Sequence, residues 1–237
     1  MQLIILAAGR GSRLPKKFRK RPKCLTLINK KSIIDHNLNF YKKFKSKCIV
    51  TGYKNYHLKN FCEKNNFSEI FNDKYKSTNM VHSLFLTSKF IKKDVIICYG
   101  DVVFDPKIYK LLKYKSNLIP VNINWFKNWK KRMTLKNIWK DAENIVIEKN
   151  YLKSIGGPIK EKIPRYQYMG IFKITKKRFN ILHSLYKKIN NKKIDMTSFL
   201  NLAVSEKKLK LKTIKYKSYW YEIDTSNDLK VAEKGLI

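Results

Sequence analysis

The sequence predicts an α/β fold with a mainly parallel sheet flanked by helices, formed by a single domain that spans residues 1–237. Apolar runs of strand length alternate with segments of helical periodicity, which is the pattern of a parallel sheet with helices on both faces. The first run, residues 2–8, is predominantly apolar, as expected for a strand that is buried on both faces. The chain is also long enough to bury a full core.

The elements of the first half follow this alternation. Ile33, Ile34 and Leu38 lie at helical spacing, and Pro106 after Asp105 predicts the start of a helix because proline is favoured in the first turn. In chain order we expect strands at residues 48–51, 69–71, 94–99 and 118–124, and helices at residues 32–44, 55–65, 79–90 and from 105 onward.

Residues 125–165 interrupt the alternation and predict a small mid-chain insertion. This segment contains three tryptophans, a basic loop and a Gly-Gly-Pro sequence. No linker or low-complexity segment separates it from the rest of the chain. After it we expect strands at residues 168–174, 209–216 and 221–224, and helices at residues 176–189, 195–206 and from 226 onward.

The net charge of +36 suggests a nucleic-acid or other anionic partner, so a basic nucleic-acid-binding protein is one alternative. The excess is nearly all lysine, however, and it is scattered along the chain between Ile, Asn and Tyr. A nucleic-acid footprint would normally show arginine clusters or a recognisable module. We therefore attribute the charge to composition and expect no specific nucleic-acid partner.

The cysteines predict a reducing compartment. Cys24, Cys48, Cys62 and Cys98 form no CxxC pair and lie in ordinary apolar runs, so we expect them to be buried and reduced in a cytoplasmic protein. The N-terminal apolar run is short for a signal peptide, and no run approaches the roughly 18 residues of a membrane span. The oligomeric state stays open, a homodimer included.

A glycine-containing loop follows the first predicted strand. Gly9 and Gly11 allow a backbone to approach a polyphosphate, whose oxygens successive N–H groups then bind. The loop is not a Walker motif, which needs Gly-Lys-Ser/Thr, nor a dinucleotide fingerprint, because Leu14 replaces the third glycine. A simple strand-to-helix turn would explain the two glycines equally well.

The surrounding residues resemble the signature of the nucleotidyltransferase family that includes the sugar-1-phosphate and phosphocholine nucleotidylyltransferases. The resemblance covers the whole chain, and its motifs occur in the family's order. These are Leu6-Ala7-Ala8-Gly9-Arg10-Gly11-Ser12-Arg13-Leu14, Pro22-Lys23-Cys24-Leu25, Tyr99-Gly100-Asp101, and Trp220-Tyr221-Glu222-Ile223-Asp224-Thr225 with Asp228-Leu229.

The resemblance implies a Rossmann-like sheet with its site at the carboxyl ends of the strands. It implies transfer of a nucleoside monophosphate from a triphosphate to a small phosphorylated acceptor. Arg13 would clamp the β,γ-phosphates, Lys23 would contact the α-phosphate, and Asp101 with Asp224 would hold Mg²⁺. The implied nucleotide-binding residues are Leu6, Ala7, Ala8, Gly9, Arg10, Gly11, Ser12, Thr78, Asn79, Ser83 and Gly100.

The chemistry of this transfer agrees with those residue types. The acceptor oxygen is already anionic near neutral pH, so the reaction needs charge neutralisation and alignment rather than a general base. Mg²⁺ prefers one or two carboxylates together with phosphate oxygens. The alternative is that Asp101 and Asp224 only cap the segments that follow them.

The segment Gln167-Tyr168-Met169-Gly170 lacks the glutamate with which the family's sugar enzymes bind hydroxyl groups. The mid-chain insertion, and Asn79 with Ser83, resemble the branch that uses CTP to activate phosphocholine or 2-aminoethylphosphonate. An NDP-sugar pyrophosphorylase and a catalytically silent relative stay as alternatives.

A cationic amine would suit the insertion, because aromatic faces attract ammonium groups and carboxylates neutralise them. We expect Asp141 or Glu143 to bind the amine and Arg132 to bind the phosphate or phosphonate. Alternatively, the tryptophans belong to the core and the acids only solvate a loop. The full set of expected acceptor residues is Trp129, Arg132, Trp139, Asp141, Glu143, Tyr168 and Glu222.

Overall fold

Ten strands form one central sheet in the computed structural model, which describes residues 1–159 and 161–236. Two further two-stranded ribbons flank it. The strands are β1 Gln2–Leu6, β2 Leu27–Ile28, β3 Lys31–Ser32, β4 Lys47–Thr51, β5 Ser68–Phe71, β6 Val95–Tyr99, β7 Val102–Phe104, β8 Leu118–Asn122, β9 Glu143–Glu148, β10 Tyr151–Pro158, β11 Gln167–Tyr168, β12 Ile171–Ile174, β13 Lys212–Tyr216 and β14 Trp220–Glu222.

Helices connect most of these strands. The α-helices are α1 Ile33–His36, α2 Leu38–Tyr41, α3 Lys59–Asn65, α4 Met80–Leu86, α5 Tyr109–Leu112, α6 Trp125–Trp129, α7 Leu135–Asp141, α8 Lys176–Lys188, α9 Met196–Ser205 and α10 Ser226–Gly235. Short 3-10 turns lie at Lys16–Lys20, Lys23–Leu25, Asn55–Leu58, Thr87–Lys89 and Pro106–Ile108. Over the described part of the chain, none of these helices has the length and hydropathy that a membrane span requires.

The central sheet is mixed but mostly parallel. Its order is β5-β4-β1-β6-β12-β8-β13-β10-β9, and β11 pairs with β8. Strands β4 and β6 run parallel to β1, β5 runs parallel to β4, and β13 runs parallel to β8. Strand β12 is antiparallel to both of its neighbours, β6 and β8. The predicted α/β fold with a mainly parallel sheet is confirmed.

The parallel strands form because their sequences are apolar on both faces. Every residue of β1, β4 and β6 is buried, as continuous apolar runs predict. Leu14, Val103 and Ile223 belong to a second, smaller core beside the main one. This smaller core packs the end of the glycine-containing loop against the β7–β14 ribbon and α10.

Two of the predicted elements are each divided into two shorter ones. The expected strand at residues 168–174 is divided into β11 and β12 by Gly170, which has φ +70. A Cβ at Gly170 would lie 2.9 Å from the Tyr99 ring, so only glycine fits this turn. The expected helix at residues 32–44 is divided into α1 and α2 at Asn37, whose side chain donates to the carbonyl of Val102 at 2.7 Å.

The predicted mid-chain insertion contains two helices and a hairpin. Thr134 caps α7 by accepting a hydrogen bond from the backbone of Asn137, although the sequence suggested a loop here. Strands β9 and β10 form an antiparallel hairpin that extends the central sheet, with Tyr151 of β10 pairing with Lys212 of β13. Helix α9 packs against β10. This arrangement places Asp141 and Glu143 at the junction of α7 and β9.

Candidate active site

Two cavities lie at the carboxyl edge of the sheet. The residues that follow β1, β5 and β6 line the first, and residues from β9, β11, α9 and β14 line the second. Met80, at the start of α4, lines both. This is the edge at which open α/β sheets bind their ligands.

The first cavity contains most of the predicted nucleotide-binding residues. Asn72 organises one wall, because its Nδ2 donates to the Ser83 Oγ at 3.0 Å and to the Thr78 Oγ1 at 3.2 Å. Asn79 caps α4 by accepting from the Met80 backbone at 2.7 Å. The cavity is lined by Leu6, Ala7, Ala8, Gly9, Lys23, Cys24, Asn72, Tyr75, Thr78, Asn79, Met80, Ser83, Gly100 and Asp101.

Two glycines allow close packing around this cavity. A Cβ at Gly100 would lie 2.9 Å from the Ala7 Cβ, so the β1 and β6 ends can approach only with glycine at that position. Gly11 has φ +63 and lies against the Lys23 side chain, where a Cβ would be 3.1 Å from the Lys23 Cβ. The glycine-containing loop therefore packs directly on Lys23.

Lys23 lies between the two predicted metal-binding carboxylates. Its Nζ donates to Asp101 Oδ2 at 2.6 Å and to Asp224 Oδ1 at 2.5 Å. Burial disfavours the charged ammonium, but Asp101 and Asp224 outweigh burial and raise the pKa of Lys23. Arg13 Nη2 lies 2.9 Å from the same Asp224 oxygen. Two cations and two carboxylates therefore meet between the cavities.

Each carboxylate also has a second oxygen that is free. Asp101 Oδ1 and Asp224 Oδ2 are buried and have no hydrogen-bond partner among the described residues. Within residues 1–159 and 161–236, no group of three or more His, Cys, Asp or Glu side chains is arranged to hold a metal ion. Two carboxylates still fit Mg²⁺, which completes its octahedron with phosphate oxygens and water.

The second cavity is acidic, in contrast to the chain as a whole. Arg13 is the one basic residue among its described lining residues, whereas the chain carries a net charge of +36. Its acidic residues are Asp141, Glu143, Asp195 and Glu222. The other lining residues are Met80, Tyr99, Trp129, Gln167, Tyr168, Gly170, Met196 and Thr197.

The carboxylates of the second cavity have different surroundings. Arg13 Nη1 lies 3.5 Å from Asp141 Oδ1, so Asp141 is partly neutralised. Burial raises the pKa of Glu143, although a hydrogen bond from Thr197 opposes the increase. Burial and repulsion from Asp224 and Asp101 raise the pKa of Glu222 to about 8. A bound cation would favour the charged forms of both glutamates.

Comparisons with known proteins agree with this geometry. Residues 3–120 match the model of the MobA-like NTP transferase domain. The chain is 35% identical over 256 residues to the CTP:phosphoglutamine cytidylyltransferase of Campylobacter jejuni subsp. jejuni serotype O:2, covering 98% of each chain. It is 32% identical over 106 residues to the choline-phosphate cytidylyltransferase of Streptococcus pneumoniae, covering 44% of this chain and 46% of that one.

The chain belongs to the same nucleotidyltransferase family as the Campylobacter cytidylyltransferase. It is a nucleotidyltransferase, as its motifs predicted. The fold is similar to that of the inositol-1-phosphate CTP transferase from T. maritima, with a TM-score of 0.78 at 19% identity, covering 98% of this chain and 95% of that one.

The nucleotidyltransferase brings most of its predicted nucleotide-binding residues together. Arg10, Gly11 and Ser12 are the exceptions, because they lie outside the lining of the first cavity. Arg10 instead lies over the Tyr53 ring, with its guanidinium carbon 5.8 Å from the ring centroid. The backbone oxygen of Ser12 accepts a hydrogen bond from Arg19.

Two predicted acceptor residues also lie outside the second cavity. Arg132 is buried, with its Nη1 2.7 Å from Asp228 Oδ1 and its Nη2 3.8 Å from Glu222 Oε2, so two carboxylates already hold this guanidinium. It also lies 4.0 Å over the Trp129 ring, which it supports from behind the cavity. Trp139 is 37% exposed on α7 and does not reach the lining. Asp228 also forms a capping box with Thr225 at the start of α10.

The sequence analysis missed several lining residues, among them Asn72, Tyr75, Gln167, Asp195 and Thr197. Asn72 and Tyr75 follow β5, and their place after a strand end was the only available indication. Asp195 and Thr197 begin α9 and look like an ordinary helix start, since Asp195 caps α9 through the Ser198 backbone at 2.8 Å. Thr197 also donates to Glu143 at 2.6 Å, a contact between residues distant in sequence.

Proposed function

We propose that this nucleotidyltransferase is a Mg²⁺-dependent cytidylyltransferase of the cytoplasm. It would transfer CMP from CTP to a small phosphate or phosphonate that carries a cationic amine, and release pyrophosphate. The observation that supports this acceptor is the second cavity, which collects carboxylates in a chain of net charge +36. The Campylobacter and streptococcal relatives are named for CTP with phosphoglutamine and for choline phosphate.

The proposed reaction is an in-line displacement at the α-phosphorus of CTP. An anionic oxygen of the acceptor forms a bond to the α-phosphorus, and the bond from that phosphorus to the bridging α,β-oxygen breaks. The electron pair leaves with pyrophosphate, and no proton needs to move. The residues of the chain therefore act by neutralising charge and aligning the two substrates.

Lys23 and Arg13 supply the fixed positive charge for this step. Lys23 lies against Gly11 and lines the first cavity, so its ammonium is placed to neutralise the α-phosphate as the phosphorus becomes crowded. Arg13 contacts Asp224 and Asp141, and is placed to hold the phosphates between the two cavities. Asp101 and Asp224 would hold Mg²⁺ through their free oxygens, and the ion would neutralise triphosphate charge.

The first cavity supports CTP as the nucleotide. Asn72 donates to Ser83 Oγ, which leaves the Ser83 hydroxyl proton available to an acceptor atom of the base. Thr78 and Asn79 lie on the same wall. Cytosine presents acceptors at its N3 and O2 positions, which this hydroxyl is suited to bind.

A matrix of substrates tests the proposal. Each of CTP, UTP, dTTP, ATP and GTP is combined with phosphocholine, 2-aminoethyl phosphate, 2-aminoethylphosphonate, phosphoglutamine and glucose 1-phosphate, and pyrophosphate release is measured with and without Mg²⁺. We expect release only with CTP, Mg²⁺ and an amine-bearing acceptor. Preferential release with glucose 1-phosphate would instead support the sugar pyrophosphorylase alternative.

A further inference from the structure

The wall of the second cavity formed by β9, β11 and α9 has unsatisfied hydrogen-bond acceptors. We propose that Glu143, Gln167, Asp195 and Thr197 form a subsite for a primary ammonium group. The acceptor would then be a phosphorylated primary amine or amino acid rather than a quaternary amine. This inference rests on the proposed function and specifies its substrate class.

The first observation concerns the Thr197 hydroxyl. Its oxygen lies 2.6 Å from Glu143 Oε1 and 2.9 Å from Asp195 Oδ1. A hydroxyl has one proton to donate, so it satisfies only one of these carboxylates at a time. Asp195 also accepts from the backbone and hydroxyl of Ser198, whereas Glu143 accepts only from Thr197 among the described residues. Glu143 is therefore the carboxylate that lacks donors.

The second observation is independent of these acids. Gln167 lines the same cavity, is only 5% exposed, and has an Oε1 atom without a hydrogen-bond partner in the described part of the chain. Pairing of Gln167 with Asn122 fixes β11 beside β8, and β11 also lies against β9, which begins at Glu143. A buried carbonyl oxygen without a donor is unfavourable. A ligand that brings an N–H group would satisfy it.

A primary ammonium has the matching set of donors. It carries three N–H groups, which can be shared among the Gln167 carbonyl, the Glu143 carboxylate and the oxygens of Asp195 or Thr197. Neither Glu143 nor Asp195 forms an ion pair within residues 1–159 and 161–236, so their negative charge is available to a cationic ligand. The subsite therefore offers both charge and directed acceptors.

A quaternary ammonium would not satisfy this wall. It has no N–H donor and is usually bound by the faces of aromatic rings. Three aromatic residues line the cavity, and each already packs against a protein group. Arg132 lies 4.0 Å over the Trp129 ring, which also stacks on Trp220 at 6.4 Å, and Tyr99 and Tyr168 pack edge to face at 5.7 Å. The rings of this cavity thus pack on one another and on Arg132, and no described contact arranges them as a cage around a trimethylammonium group.

The test compares acceptors that differ only at the amine. Initial rates are measured with CTP and 2-aminoethyl phosphate, its trimethylammonium analogue phosphocholine, or uncharged ethyl phosphate. We expect kcat/KM for the primary amine to exceed that for phosphocholine about tenfold or more, because a site with buried acceptors rejects analogues that lack the donor. Equal or faster reaction of phosphocholine would overturn the subsite.

Matched variants show whether the named residues cause this preference. Glu143→Gln and Gln167→Leu should each lower kcat/KM for the primary amine about tenfold, chiefly through KM, and change the rate with ethyl phosphate less than about twofold. Thr213→Val controls for the loss of a buried polar group outside the cavity, since the Thr213 hydroxyl on β13 donates to the Asn150 carbonyl. It should keep the wild-type preference.

The outcomes separate the two proposals. A uniform loss with all three acceptors would overturn the ammonium subsite while leaving the cytidylyltransferase proposal intact. Equal turnover of 2-aminoethyl phosphate and phosphocholine by the wild type would have the same consequence. No CTP-dependent turnover of any amine, phosphoglutamine included, would overturn the proposed function and the subsite together. The comparison of wild-type acceptors needs no variant, so it stands even if a variant fails to fold.

Discussion

The two cavities of the active site differ in how the chain builds them and in the charge they present. The first is formed by backbone and small side chains at the ends of β1 and β6, with Lys23 as its cation. The second is formed by side chains from elements that are distant in sequence, and most of its charges are negative. The chain thus separates a surface suited to a polyanion from one suited to a cation.

The boundary between the cavities explains how they can work together. Asp224 contacts Lys23 from the first cavity and Arg13, which lines the second. Arg13 in turn reaches Asp141 on α7. A bound triphosphate would attract Arg13 and Lys23 away from these carboxylates. It would therefore make the second cavity, where we expect the acceptor, more negative.

The largest expected effect is at this boundary. If the proposed Mg²⁺ site is correct, Asp101→Asn or Asp224→Asn should lower kcat about a thousandfold, because a carboxylate that would hold the ion and that contacts Lys23 is lost. Circular dichroism should show an unchanged fold. Steady-state assays over a range of Mg²⁺ concentrations provide the measurement, and near wild-type activity in both variants would show that these carboxylates do not hold the metal.

A variant of Arg132 shows whether this residue stabilises the fold or binds the acceptor. Arg132→Met should destabilise the fold by about 3 kcal/mol, because it leaves the buried Asp228 carboxylate unpaired. Urea unfolding measures this loss. The fraction that remains folded should keep its KM for the acceptor, whereas a large increase in KM with unchanged stability would restore Arg132 as a phosphate ligand.

A variant of Lys23 tests whether this residue acts in the chemical step or only in binding CTP. Lys23→Ala should lower kcat about a hundredfold and weaken CTP binding much less, because its charge matters most in the transition state. Calorimetric titration of CTP, set beside steady-state rates, separates the two quantities. Weaker binding with unchanged kcat would instead give Lys23 a role in the ground state.

The smallest effect is expected at Asp141. This side chain is 37% exposed and lies 3.5 Å from Arg13, which Asp224 also holds. Asp141→Asn should therefore change kcat/KM for either substrate less than about threefold, as is usual for an exposed ion pair. A tenfold loss confined to amine acceptors would move the ammonium subsite from Glu143 toward Asp141.

The same contrast explains what the sequence could predict. The first cavity is built from short motifs beside strand ends, so the resemblance of those motifs to the family could place Gly9, Gly100 and Asp101 from the sequence. The second depends on tertiary contacts: Arg132 meets Asp228 96 residues away, and Thr197 meets Glu143 54 residues away. No local sequence pattern encodes such pairs. The prediction therefore placed Arg132 at the acceptor, where it does not lie, and left Thr197 out of the site.

Helices α6 and α7 were missed for a related reason. Their tryptophans and lysines give no clear apolar stripe, and the caps of such short helices act only once the segment is packed. Trp125 and Trp129 are buried, as the core alternative proposed, and Trp129 stacks on Trp220 of β14. The sequence located the insertion and three of its side chains that line the second cavity, Trp129, Asp141 and Glu143, but it wrongly placed Arg132 and Trp139 there.

The most direct test of the account is a competition for CTP between an amine and a sugar. Equal concentrations of 2-aminoethyl phosphate and glucose 1-phosphate are mixed with CTP, Mg²⁺ and the protein, and the two CDP products are quantified by mass spectrometry at low conversion. Their ratio equals the ratio of the two kcat/KM values. The account predicts at least about ten molecules of the amine product for each molecule of CDP-glucose, and an excess of CDP-glucose would contradict it.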